Sequence, residues 1–136
     1  MFEIFPHTAD LGLRVQAPTL DALFVDAAQG LFSVIVGNPQ DVQRKHVVTY
    51  DIEGEETDFL LFDWLSELLF TFEAQHILLS QFEVQLDDRG LRAVARGEVA
   101  DPLRHRLEHE VKAITYHGLK VEQQTEGWLA EVIVDI

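Results

Sequence analysis

The chain has 136 residues, 47% of them hydrophobic and 25% charged, and it contains no cysteine. That length supports one buried core, and the missing cysteine excludes disulfides, thiolate metal sites and cysteine catalysis. The formal net charge is −14, with 10 basic residues against 24 acidic ones, so direct nucleic-acid binding is not expected and a basic protein partner suits the surface better. No apolar run approaches the roughly 20 residues of a spanning helix. The start, Met1-Phe2-Glu3, lacks the basic region of a signal peptide. A cytoplasmic location without membrane association is the expectation.

Residues 1–5 and 11–15 read as strands, and between them lie His7, Thr8, Ala9 and Asp10. A histidine and an aspartate wedged into apolar sequence are turn punctuation or a site. Pro18-Thr19 then stops the second strand and caps a helix over 20–35, where Leu20, Leu23, Phe24, Ala27, Leu31 and Ile35 recur at helical spacing. Residues 42–51 form a strand, broken by Gly54-Glu55-Glu56-Thr57. A second helix over 58–74, capped by Thr57 or Asp58, is apolar almost all round and is expected to be covered on most sides. Its polar ridge is Asp63, Ser66 and Glu67.

Residues 77–86 and 91–100 form a hairpin about Asp87-Asp88-Arg89-Gly90. Residues 101–109 read as a charged loop, 111–116 as a strand, and 119–124 with 128–136 as a closing hairpin. Strand, helix, strand, strand describes residues 42–100. The same order describes the first helical unit completed by the last hairpin, with the other unit inserted. The expectation is one α+β domain over 1–136, its two helices packed with largely antiparallel sheet in nested strand-helix-strand-strand units.

The closing strand ends in Asp135 and Ile136. If the two ends of the chain meet, Asp10, Asp135 and the terminal carboxylate of Ile136 form an oxygen-rich set. Such a set suits a hard divalent cation: calcium, magnesium or manganese. Lys112 is the one cation in its strand and would pair with those carboxylates or bind a phosphate. His7, His117 and Glu67 are candidates for an outer layer around them. The plainer alternative is that Asp10 caps a turn, Lys112 faces solvent, and each histidine bonds backbone. His105-Arg106-Leu107-Glu108-His109 matches the H-x-x-E-H zinc-protease pattern, but it sits in a charged connector rather than on a helix.

Four separated motifs then carry a resemblance. They are His7-Thr8-Ala9-Asp10, Phe62-Asp63-Trp64-Leu65-Ser66-Glu67-Leu68-Leu69, Val111-Lys112-Ala113-Ile114-Thr115-Tyr116-His117-Gly118-Leu119, and the closing stretch from Gly127-Trp128 to Asp135-Ile136. In this order they resemble the archease family, end to end. The resemblance implies a protein cofactor rather than an enzyme with catalytic residues of its own. Its partner would be the GTP-dependent tRNA-splicing RNA ligase of the RtcB type. It would promote guanylylation of that ligase's active-site histidine and restore turnover. It assigns ligase activation to Asp10, Lys112 and Asp135, and a metal site, calcium in the family, to Asp10, Asp135 and Ile136. Two other classes stay open: a stand-alone metal-dependent enzyme on a small phosphorylated substrate, and a chaperone-like interaction module.

Overall fold

In the computed structural model, which describes residues 1–136, the opening alternation forms β1 (Phe2–His7) and β2 (Asp10–Ala17). Leu13, Val15 and Ala17 of β2 are buried, while Asp10, Arg14 and Gln16 take the other face, as a two-residue period requires. α1 (Leu20–Ile35) starts where Thr19 accepts the Ala22 N–H at 3.1 Å. It buries Leu23, Phe24, Ala27, Leu31, Phe32 and Ile35. Then follow β3 (His46–Glu53), α2 (Thr57–Gln75), β4 (Ile77–Asp87), β5 (Gly90–Val99), β6 (Ala113–Ile114), β7 (Lys120–Gln124) and β8 (Gly127–Asp135).

The strands make two antiparallel sheets. A five-stranded sheet has the order β1-β2-β8-β6, with β7 also paired to β8, and a three-stranded sheet has the order β3-β5-β4. The helices lie between them: α1 packs on β2 and on β4, and α2 meets β6 and β7 on one side and β3, β4 and β5 on the other. One cluster of 32 buried residues joins all three layers. At its centre Trp64 is fully buried and donates its indole N–H to the Phe24 carbonyl at 3.0 Å. The fold is therefore α+β, as expected.

The nested units have the same pairing. In each, the last strand lies in the middle, flanked by the unit's first strand and by its own hairpin partner: β5 between β3 and β4, β8 between β2 and β7. Each central strand opens on a glycine with positive φ, Gly90 at 147° and Gly127 at 142°. A side chain there would strike the end of the unit's first strand, at 2.0 Å from the Ile52 carbonyl oxygen and 2.4 Å from that of Ala17.

Four expectations need correction. Only Ala113–Ile114 of the expected 111–116 strand is regular, because β8 ends at Asp135 opposite Ala113 and its edge from Glu131 back to Gly127 is taken by β7. The strand expected from residue 42 begins at His46, after a 3-10 turn at Pro39–Asp41. Glu56, not Thr57 or Asp58, holds the N-cap position of α2, and its side chain makes no capping bond. Finally, α2 is covered by a sheet on each side, but its open stripe is not only the polar ridge: Phe59 on it is 49% exposed and Phe70 63%. No helix is long and apolar enough to cross a membrane.

Candidate functional site

The site begins with a tight hairpin. Thr8 and Ala9 connect β1 to β2, with Ala9 at φ 62°, a left-handed conformation that an alanine adopts only under some strain. That turn pairs His7 with Asp10. The β2–β8 register then places Asp10 directly opposite Asp135. The two ends of the chain are neighbours, and both carboxylates stand on the outer face of the large sheet.

The rows of that face differ in charge. In the row of Arg14, opposite charges alternate across the strands. Arg14 donates to Glu3 at 2.7 Å and to Glu131 at 3.3 Å, and Lys120 reaches Glu131 at 3.0 Å. The Lys120 ammonium, and then Arg14, hold the Glu131 carboxyl below the usual range, and the bond to Glu3 raises Arg14. The next row is apolar: the Phe5 ring lies over Gly12, where a Cβ would come within 2.1 Å of it. The Arg14 guanidinium stands 4.6 Å above the same ring.

The last row, His7, Asp10, Asp135 and Ala113, sets two carboxylates side by side. No lysine or arginine side chain pairs with either. Like charges directly opposite on a sheet oppose folding. The His7 Nδ1 is buried and has no hydrogen-bond partner, and it lies 3.9 Å from Asp10 Oδ2, too far to bond. His7 packs edge-on against His117, centroids 5.6 Å apart.

Lys112 joins through its backbone, its N–H donating to the Asp135 carbonyl at 2.7 Å. Its side chain is exposed and makes no ion pair. Ile136 follows Asp135 directly, with its side chain packed against the core. The structure thus gathers His7, Asp10, Asp135, Ile136, His117 and the Lys112 backbone at one corner of the sheet. Glu67 makes none of these contacts. It is exposed on α2, and its charge bears on Tyr50, whose phenol is pushed up first by burial and further by Glu67.

The donors suit a hard cation, being oxygens, and a cation between Asp10 and Asp135 relieves their repulsion. No three histidine or acidic side chains converge as a cage. Asp10, Asp135 and the terminal carboxylate offer at most six oxygens of the six to eight that calcium takes. The arrangement fits an ion that keeps water or accepts phosphate oxygens from another molecule, as magnesium commonly does.

The zinc-protease pattern does not form a site. His105 is buried against Glu98, and His109 is exposed in a loop. Sequence reasoning missed the aromatic shelf next to His117, where Tyr116 stacks on Phe62 with centroids 3.9 Å apart and meets Phe59 at 5.9 Å.

Comparison with known proteins agrees along the whole chain. Residues 2–136 match the Archease protein family. The chain is 42% identical to the protein archease of Methanopyrus kandleri, covering 99% of each, and 37% identical to that of Pyrococcus furiosus, covering 99% of this chain and 98% of the other. The solution structure of a Methanobacterium thermoautotrophicum protein superposes with a TM-score of 0.86 at 34% identity, covering 99% of this chain and 98% of that one. A Thermotoga maritima crystal structure, described as an archease and possible chaperone, shares the fold with a TM-score of 0.68 at 19% identity, covering 100% and 98%. Its motifs, its nested topology and these relatives together make this chain a member of the archease family.

Proposed function

We propose that this protein activates a GTP-dependent tRNA-splicing RNA ligase of the RtcB type, promoting guanylylation of the ligase's active-site histidine and repeated turnover. The observation that carries this reading is the opposition of Asp10 and Asp135 across β2 and β8, with no basic side chain to neutralise them. A corner that gathers negative charge without a counter-ion is built to receive positive charge. Family membership supplies the kind of partner.

A bound divalent ion, calcium, magnesium or manganese, would supply a positive centre that draws phosphate oxygens. Asp10, Asp135 and the terminal carboxylate of Ile136 would hold that charge at the protein's edge and leave part of its coordination open. Lys112, whose backbone bonds Asp135 and whose ammonium makes no ion pair, offsets the charge of a nucleotide phosphate. His7 and His117 pack together beside Asp10. The net charge of −14 disfavours direct RNA binding and favours docking to a basic cleft instead.

The test is multiple-turnover ligation of RNA bearing a cyclic-phosphate end and a 5′-hydroxyl. Asp10→Ala and Asp135→Ala are expected to return the rate to that of the ligase alone, and Lys112→Ala to lower it. Undiminished stimulation by the aspartate variants overturns the proposal. A stand-alone enzyme would instead turn over a phosphorylated substrate with no ligase present. A chaperone-like module would bind unfolded clients regardless of Asp10.

A further inference from the structure

The exposed aromatic residues of this protein are Phe59, Phe70 and Tyr116. All three lie on or against one helix. Phe59 and Phe70 stand on α2 three turns apart, roughly 16 Å along its axis. Asp63 and Ser66 lie on the same line between them, and Glu67 and Glu73 flank it. Tyr116, 58% exposed, extends the line by stacking on Phe62 and meeting the edge of Phe59.

The fold does not account for this face. These side chains leave about half or more of their surface in water, and grouped exposed aromatics mark contact surfaces. α2 carries Asp58, Asp63, Glu67 and Glu73 and no lysine or arginine, and none of these carboxylates forms an ion pair. Glu73 in the last turn even opposes the helix dipole. The face is also continuous with the acidic pair. Tyr116 precedes His117, His117 packs on His7 at 5.6 Å, and His7 lies 3.9 Å from Asp10.

We propose that the solvent face of α2, together with Tyr116, docks a protein surface that is basic at its rim and hollowed by an apolar pocket. Its occupant is the partner whose phosphate-handling cleft receives Asp10 and Asp135, so the inference rests on the function proposed above. Charge decides among the candidates. An anionic membrane, a nucleic acid and a second copy of this acidic face are all repelled by unpaired carboxylates, whereas a basic protein surface is attracted. The acidic pair acts on chemistry, and the helix face supplies affinity.

The experiment separates those two roles. The affinity of the full chain for the ligase is measured in solution across ionic strength, alongside ligation stimulated at saturating activator. The double variant Phe59→Ser, Phe70→Ser is expected to bind at least about tenfold more weakly and to stimulate fully once saturating. Asp63→Lys with Glu67→Lys is expected to weaken binding and flatten its salt dependence. Circular dichroism and melting establish that each variant is folded. Wild-type affinity in both double variants overturns this inference and leaves the proposed function standing. Tight binding without stimulation by Asp10→Ala supports the division of roles. If wild type neither binds nor stimulates the ligase, both proposals fall. If the aromatic variants change only self-association, the face joins copies of this chain and the inference is wrong.

Discussion

Glu98 stands as far along β5 from Gly90 as Asp135 stands along β8 from Gly127. The two carboxylates occupy matching places in the nested units, in opposite surroundings. Glu98 is buried, accepts from Arg104 at 2.7 and 2.9 Å, and receives the Gln43 N–H. His105 completes the set: its Nδ1 accepts the Asp101 N–H at 2.8 Å, so the proton sits on Nε2, 3.3 Å from Glu98. The bonds from Arg104, then from Gln43 and His105, hold the Glu98 carboxyl down from its ordinary 4.5 to about 2 despite the opposing effect of burial. A carboxyl lowered on folding adds stability above its unfolded value, and that stability is lost as pH falls through the folded one. Glu98→Gln is therefore expected to lower unfolding free energy at pH 7 by on the order of 2 kcal/mol. In urea titrations the gap from wild type should close as pH drops from 4.5 toward about 2. A gap that stays constant over this range would mean that the charge of Glu98 is not what holds the 101–109 loop. None of this was legible in the sequence, where Glu98 is one acid among many and residues 101–109 look merely charged. What fixes them is long-range contact between three separate segments.

Among the elements, α1 is the most legible. Its apolar period and the Pro18-Thr19 boundary agree, and the helix runs from Leu20 to Ile35 as expected. Its start depends on one bond, so Thr19→Ala should lower stability by about 1 kcal/mol, read from chemical denaturation, with no change in the exposed face of α2. The bounds of α2 and its covering were also legible, but the aromatics on its open line were not. Apolar composition all round suggests burial, yet Phe59, Asp63, Ser66 and Phe70 fall on one line of the helix. That line faces outward because the two sheets occupy the opposite sides. Alternation misled in residues 111–116 as well. Regular pairing there needs a free edge of β8, which ends opposite Ala113 on one side and is taken by β7 from Glu131 on the other.

At the scale of the molecule, the proximity of Asp10 and Asp135 follows from topology alone. The sequence offered two short apolar stretches at opposite ends, each with an aspartate, and the four motifs told where such ends go. Pairing them has a cost, since opposed like charges on a sheet lose roughly 0.2–1 kcal/mol. Asp135→Asn is accordingly expected to raise the melting temperature of metal-free protein. Added calcium should stabilise wild type by about 2.7 kcal/mol at a hundredfold excess over its dissociation constant and leave the variant unmoved. A destabilised, calcium-responsive variant would remove Asp135 from the site.

The placement of β8 in the middle of the large sheet bears on how the protein comes off the ribosome. β1 and β2 emerge before β8 and until then can pair only with each other, because their inner neighbour follows every other strand in chain order. The inserted unit, by contrast, has all its strands in one contiguous stretch and can close while translation continues. The nascent chain thus carries a finished small sheet and an unfinished large one. The corner bearing both aspartates comes into being only with the final strand.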